Sequence, residues 1–173
     1  MNELLTASLS QFDDVALHKL AEQVGDRLRV NRLTMCTAES CTGGWISKMI
    51  TDIPGCSDWF ECGLAAYSYE AKQALLGVRQ ETLTQHGAVS RETVLEMVSG
   101  ALITSGASLA VAVTGIAGPT GGTPEKPVGT VWVGWKRRGR YPVAEVFHFE
   151  GDREAIRRQT VAAALSGLLA ICD

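Results

Sequence analysis

The sequence predicts a single-domain, three-layer α/β/α fold with a mixed β-sheet. Its 173 residues suit one domain. Helical and strand patterns alternate along most of the chain, which is typical of a sheet covered by helices on both faces. Ser108–Thr114 (SLAVAVT) is a continuous apolar run, the composition of a strand buried on both faces. A hairpin pattern late in the chain adds antiparallel strands and makes the predicted sheet mixed.

The first half of the chain alternates helix and strand patterns. The predicted elements are, in order, a helix capped by Asp13 or Asp14 with an apolar stripe from Val15 to Leu28, a strand at 33–38, a helix at 45–53, a strand at 60–68 and a short helix through Lys72 and Leu76. Pro54 and Gly55 stop the second of these helices.

The second half ends in a hairpin and a long helix. Ser90 caps a helix whose apolar face includes Val94 and Leu102, and the buried strand at 108–114 follows. The segments 128–135 and 143–149 read as a hairpin around a basic run at 136–140, interpreted as a solvated tip. The last helix is predicted at 152–171. Residues 1–12 are expected to form a loosely attached arm, and residues 13–173 the domain.

Composition excludes several classes of function. A formal net charge of −3 argues against a nucleic-acid-binding protein, because such proteins usually carry a basic face. The five cysteines lack metal-type spacing and suggest reduced thiols, so we expect no metal site. We also expect no secretory signal, no membrane partner and a cytoplasmic location, since no apolar run reaches the ~18 residues of a membrane span.

The first candidate for chemistry is TAESCTGG at 37–44. It lies between a predicted strand and a predicted helix, where we expect Ser40 to be exposed and neighbouring N–H groups to hold an oxyanion. Ser40 or Thr42 acting merely as a helix N-cap is the alternative. The segment matches neither the α/β-hydrolase elbow nor the β-lactamase motif.

The second candidate is YSYEAK at 67–72. A lysine held near a serine in a water-poor pocket has a lowered pKa and can act as a general base. The apolar strand before Tyr67 and the leucines at 75 and 76 are expected to form such a pocket around Lys72. A surface lysine beside a half-buried tyrosine is the alternative.

The third candidate is the glycine-rich segment VTGIAGPTGGTPEKPVGTVW at 113–132. Glycines this dense after a buried strand allow backbone N–H groups to approach an anion closely. The segment fits neither a P-loop nor a dinucleotide-binding fingerprint, and a plain structural loop is the alternative. Farther along, Asp152 is a natural N-cap, and Arg153 is able to reach a phosphate or carboxylate or to lie in solvent.

Together these segments resemble the CinA C-terminal-domain family, whose active members are nicotinamide mononucleotide amidohydrolases. The matching stretches are TAESCTGG at 37–44, YSYEAK at 67–72, HGAVS at 86–90, the glycine-rich segment and GDR at 151–153. The similarity covers roughly residues 15–171. The resemblance implies hydrolysis of the nicotinamide mononucleotide carboxamide to nicotinic acid mononucleotide and ammonia, without a metal or cofactor, by a cytoplasmic homodimer that acts in pyridine nucleotide recycling.

The resemblance also implies roles for individual residues. Ser40 would be the nucleophile, Lys72 its base, and Tyr67 an aid to positioning or proton transfer. The implied substrate-binding residues are Thr42, Gly43, Thr114, Gly115, Ala117, Gly118, Gly121, Gly122 and Arg153. The chain departs from the family pattern at Tyr69, where YSNEAK is usual, so a catalytically inactive nucleotide-binding paralogue is one alternative. A serine amidohydrolase for another small amide is a second.

Overall fold

The computed structural model describes residues 12–172. The predicted N-terminal arm lies outside the described residues apart from Phe12, and the arm remains a prediction. The helices are α1 Asp14–Asn31, α2 Trp45–Thr51, α3 Tyr69–Leu76, α4 Gln80–His86, α5 Arg91–Ser105 and α6 Arg153–Ile171. The strands are β1 Met35–Glu39, β2 Phe60–Ala65, β3 Leu109–Gly115, β4 Thr130–Arg137 and β5 Val143–His148. Within residues 12–172 every helix is too short or too polar to span a bilayer.

The five strands form one mixed sheet in the order β2-β1-β3-β4-β5. Strand β1 pairs parallel with β2 and β3, whereas the β3–β4 and β4–β5 pairs are antiparallel. The predicted single-domain α/β fold with a mixed sheet is therefore confirmed. The carboxyl ends of β1, β2 and β3 lie side by side, which is where α/β sheets usually hold their ligands.

Two apolar cores separate the sheet from its helical layers. One core joins the sheet to α1, α2 and α6, and the other joins it to α3, α4 and α5. Alternate residues of β3 enter opposite cores: Leu109, Val111 and Val113 face the first, and Ala110 and Ala112 face the second. This two-sided burial explains the continuous apolar run of β3, because a strand covered on both faces has no polar side.

Three sequence expectations need correction. The second strand ends at Ala65 rather than at residue 68, because Ser68 turns out of the sheet and caps α3 by accepting a hydrogen bond from Ala71 N at 3.1 Å. Helix α4 was not predicted, since only Thr82 and Leu83 of its seven residues are buried and no apolar stripe is visible. Asp13, not Asp14, caps α1.

The basic hairpin tip is less solvated than the sequence suggests. The Arg138 side chain donates to the carbonyl oxygens of Gly106 and Ala107, which follow α5. Arg137 binds the carbonyl oxygens of Ile171 and Cys172 at the end of α6. These guanidinium groups tie the hairpin to helix C-termini, where cations are favoured.

Candidate active site

The candidate site is centred on a serine and a lysine that meet where β1 and β2 end. Ser40 directly follows β1, and Lys72 lies on α3, just after β2. The Lys72 Nζ atom lies 2.9 Å from Ser40 Oγ. Lys72 is fully buried and Ser40 is only 8 % exposed, so the expectation that Ser40 is exposed was wrong. The turn after β1 therefore holds the hydroxyl in a protected position.

Two carbonyl groups complete the surroundings of the lysine amine. Nζ lies 2.9 Å from the carbonyl oxygens of both Ala66 and Tyr67, which leave the end of β2. Burial lowers the pKa of Lys72 to about 8 from its ordinary value of 10.5, because a charged ammonium loses solvation there. Lys72 is buried as predicted, and of the two leucines expected around it Leu76 is buried while Leu75 is 44 % exposed.

Glu39 organises the turn that carries Ser40. Its buried carboxylate accepts hydrogen bonds from the backbone N–H groups of Gly44, Ile46 and Ser47 at 2.8–3.0 Å. It also accepts hydroxyl bonds from Thr37, Thr42 and Ser47. The first N–H groups of a helix have no partner within the helix, so they stabilise a negative charge placed beside them. The carboxylate therefore locks residues 40–44 onto α2 and has no free side toward Ser40.

Backbone hydrogen bonds fix the turn that follows Ser40. Ser40 N donates to Val113 O at 3.1 Å, and Gly43 N donates to Ser40 O at 3.1 Å. The intervening residues Cys41 and Thr42 are buried, and Thr42 is fully so. The Thr42 N–H is therefore closed to a bound oxyanion, and the turn serves as a fixed support for the Ser40 hydroxyl.

Of the predicted binding residues, Thr42 and Thr114 have internal partners. Thr42 is fully buried and its hydroxyl donates to Glu39 at 2.7 Å. Thr114 lies near the end of β3, and its hydroxyl donates to Ala88 O at 2.8 Å. Gly43 is exposed in the turn with a φ of 62°. The two threonine side chains therefore support the walls of the site.

Close packing explains several glycines of the glycine-rich segment, because a Cβ atom there would collide with a neighbour. A Cβ atom on Gly115 or Gly118 would come within 2.6 Å of the Val131 or Val128 side chain. Ala117 is buried in the core. Gly121 and Gly122 lie in the exposed part of the segment, and a Cβ on Gly122 would meet Val128 N at 2.7 Å.

Arg153 and Tyr67 meet at the mouth of the site. Arg153 Nη1 donates to Gly118 O at 2.8 Å, and Nη2 lies 3.5 Å from the Tyr67 hydroxyl. Tyr67 is 66 % exposed, and its backbone carbonyl accepts a hydrogen bond from Lys72. The structure thus places the Tyr67 hydroxyl beside Arg153 and the Tyr67 carbonyl beside Lys72.

The sequence and structural comparisons agree with this architecture. The profile of the CinA C-terminal domain matches residues 17–172. The chain belongs to the CinA C-terminal domain family. It is 53 % identical over 155 residues to the nicotinamide-nucleotide amidohydrolase PncC of Escherichia coli, covering 90 % of this chain and 94 % of that protein. It is 54 % identical over 150 residues to PncC of Pseudomonas putida, covering 87 % of this chain and 93 % of that protein.

A solved structure of the same family has the same fold. The competence/damage inducible protein CihA of Agrobacterium tumefaciens superposes with a TM-score of 0.88 at 44 % identity. The alignment covers 92 % of this chain and 96 % of that chain. The resemblance stated from the motifs is therefore confirmed.

Tyr69, the departure from the usual family motif, lies beside the site rather than in it. Its hydroxyl accepts a hydrogen bond from Ala88 N at 3.3 Å, and the side chain is 42 % exposed. Ala88 is also the residue whose carbonyl binds Thr114. The tyrosine ring thus braces the segment that supports Thr114, and it leaves the Ser40–Lys72 pair intact.

Sequence reasoning missed two basic residues that hold the loops of the site. Lys126 Nζ donates to the carbonyl oxygens of His86 and Val89 at 2.9 and 2.8 Å, which fastens the glycine-rich segment to the loop before α5. Arg157 donates to the carbonyl oxygens of Cys41 and Thr42. Arg157 was detectable in principle, because it follows Arg153 by four residues and such residues share a helix face.

Proposed function

We propose that this protein hydrolyses the carboxamide of nicotinamide mononucleotide, giving nicotinic acid mononucleotide and ammonia for pyridine nucleotide recycling. Curated relatives at 53 and 54 % identity carry the name nicotinamide-nucleotide amidohydrolase, which makes an amide-bond hydrolase the class of enzyme. The observation that carries the mechanism is the 2.9 Å contact between Ser40 Oγ and Lys72 Nζ in a buried pocket.

The surroundings of Lys72 suit a general base. A neutral amine has two hydrogens and one lone pair. The carbonyl oxygens of Ala66 and Tyr67 accept the two hydrogens, which leaves the lone pair directed at the Ser40 hydroxyl. Because the pKa of Lys72 is about 8, a useful fraction of the amine is neutral near physiological pH.

The reaction then proceeds through an acyl-enzyme. Ser40 Oγ attacks the amide carbon while its proton passes to Lys72, and the carbonyl oxygen becomes an oxyanion. Lys72 returns the proton to the departing nitrogen, the carbon–nitrogen bond breaks and ammonia leaves. A water molecule attacks the ester, gives its proton to Lys72, and the acid product departs as Ser40 regains its hydroxyl hydrogen.

Cys41 and Glu39 lie next to Ser40 but are poorly suited to act as the nucleophile or the base. Burial raises the pKa of the adjacent Cys41 thiol to about 12, so it stays protonated and weakly nucleophilic at neutral pH. Glu39 accepts six hydrogen bonds on its two oxygens and is therefore occupied as a support for the turn. Ser40 and Lys72 remain the pair with matched geometry and chemistry.

Arg153 suits the phosphate of the substrate. Its guanidinium is exposed at the site mouth, and its bonds to Gly118 O and the Tyr67 hydroxyl leave other N–H donors available. A guanidinium binds phosphate in a bidentate manner. The phosphate-free riboside is therefore expected to be a much poorer substrate than nicotinamide mononucleotide.

Ammonia release with a panel of amides tests the proposal. The purified wild-type protein should release ammonia from nicotinamide mononucleotide, less from the riboside, and little from nicotinamide or asparagine. Ser40→Ala should remove turnover while the circular dichroism spectrum stays unchanged, because loss of a nucleophile costs many powers of ten in rate. Ser57→Ala, at an exposed serine outside the site, is the matched control.

The same panel separates the alternatives. Wild-type protein that binds the nucleotide without ammonia release would indicate a catalytically inactive paralogue. Faster turnover of another amide would indicate a different serine amidohydrolase. A Ser40→Ala variant that keeps near-normal turnover would eliminate the serine mechanism.

A further inference from the structure

Arg157 contacts the backbone of the turn that follows Ser40. It lies on α6, one turn after Arg153, and its guanidinium donates to two successive carbonyl oxygens. Nε binds Cys41 O at 3.1 Å and Nη2 binds Thr42 O at 2.6 Å. The two arginines therefore differ in position. Arg153 is exposed at the mouth of the site, whereas Arg157 is half-buried behind the turn.

These two bonds fix the turn that carries the Ser40 hydroxyl. In a trans peptide the carbonyl and the following N–H lie in one plane and point in opposite directions. Holding Thr42 O therefore orients Gly43 N–H, which binds Ser40 O at 3.1 Å. The Ser40 backbone is thus held while its hydroxyl lies 2.9 Å from Lys72 Nζ.

The guanidinium is itself held in place by an aromatic ring. The Arg157 Cζ atom lies 5.2 Å from the ring centroid of Trp45, the first residue of α2. A planar cation over an indole ring is stabilised electrostatically. Lysine lacks both the planar fork and the fixed spacing of two donors, so it would not hold both carbonyl groups in the same way.

Arg158 provides an internal comparison. Its guanidinium also lies over Trp45, at 5.0 Å from the ring centroid. Its hydrogen bonds go to Asp14 and Glu154 and not to the turn. The two neighbouring arginines therefore share the aromatic contact and differ in the contact with the backbone of residues 41 and 42.

We propose that Arg157 is a positioning residue that holds residues 41 and 42 and thereby keeps the Ser40 hydroxyl aligned with Lys72 for attack. The inference rests on the serine mechanism of the proposed function but not on the identity of the substrate. Arg157 acts through the backbone and does not touch the substrate. Its loss should therefore slow every reaction in which Ser40 attacks a polarised centre.

A fluorophosphonate probe measures this effect without the natural substrate. Ser40 Oγ attacks phosphorus, the phosphorus–fluorine bond breaks, fluoride leaves and the hydroxyl proton passes to Lys72. The labelling rate therefore reports how well Ser40 Oγ is placed for attack. Intact-protein mass spectrometry gives the labelling rate of wild type, Arg157→Lys, Arg157→Met and Arg158→Met, with Ser40→Ala as the blank.

Both Arg157 variants should label at least about tenfold more slowly, since a misplacement of about 1 Å at a reacting atom costs about a hundredfold and a loosened turn costs part of that. Arg158→Met should label within about twofold of wild type. With nicotinamide mononucleotide, kcat should fall by a similar factor while KM changes by less than about threefold. Thermal unfolding by circular dichroism should show that the Arg157 variants are folded at the assay temperature.

Several results would overturn the inference. They are an unchanged labelling rate in the Arg157 variants, an equal loss in Arg158→Met, a rise in KM that accounts for the whole effect, or loss of the folded state in both Arg157 variants. If the proposed function is wrong, a different set of results is expected. Wild type would then label at Ser40 but release no ammonia from the nucleotide, and the slower labelling of the Arg157 variants would still stand.

Discussion

The rate of the proposed reaction should follow the protonation state of Lys72, because its amine has to accept the Ser40 proton. With a pKa of about 8, about one amine in ten is neutral at pH 7 and about nine in ten at pH 9. Only the neutral form acts as a base, so kcat/KM should rise about tenfold between these pH values. Above pH 9 the profile should be nearly level.

Ammonia release measured from pH 7 to pH 9.5 gives this profile. The range begins at pH 7 because a phosphate ester also titrates near pH 6, and that titration would add a second slope. Buffers of constant ionic strength keep the attraction between Arg153 and the phosphate unchanged. The fitted pKa in kcat/KM then belongs to the free enzyme.

Lys72→Arg is the decisive variant. Arginine keeps the positive charge but does not lose its proton in this range, so the rising limb should vanish and the rate should fall at least about a hundredfold. A flat wild-type profile between pH 7 and pH 9 would refute the base assignment. So would a folded Lys72→Arg protein that keeps most of its activity, since Lys72 would then act only as a fixed charge.

Two stability predictions follow from the same buried groups. Lys72→Met should raise stability to urea at pH 7 by about 1–2 kcal/mol, because the lowered pKa of Lys72 means that folding disfavours the protonated amine. That advantage should shrink as the pH rises from 8 to 10, where the wild-type amine becomes neutral, and a wild-type protein that is the more stable one at pH 7 would contradict it. Glu39→Gln should lower the free energy of unfolding by about 3 kcal/mol or more and lower kcat at least tenfold. In either orientation of the glutamine amide, its NH2 group would face three hydrogen-bond donors. The exposed Glu61→Gln is its control in urea unfolding, and equal stability of the two variants would contradict the role of Glu39.

The order of the secondary structure was readable from the sequence, because local patterns determine it. The apolar run of β3, the Ser90 cap of α5 and the Asp152 cap of α6 are local signals, and all three appear as expected. Helix α4 was not readable. It buries little and is held by its neighbours, so its formation depends on tertiary packing more than on its own residues.

The sequence also identified the segments of the site but not the partners within it. Ser40 and Lys72 were named from their motifs, and the structure brings them together. The hydroxyl of Tyr67 was expected to aid positioning or proton transfer, and the structure places it beside Arg153. Its direction depends on how β2 leaves the sheet, which no spacing in the sequence encodes.

The amino-acid sequence by itself determined the fold class, the family and the residue types available for chemistry. Periodicity, caps and motifs depend on residues that are close in the sequence, so they can be recognised without a structure. Only the tertiary structure decided that Lys72 is buried against two carbonyl groups, that Glu39 supports the turn and that Arg157 holds it from behind. Lys72 meets Ser40 across 32 positions and Arg157 meets the turn across 115 and 116 positions. The first contact exists because the parallel strands β1 and β2 end at one edge of the sheet.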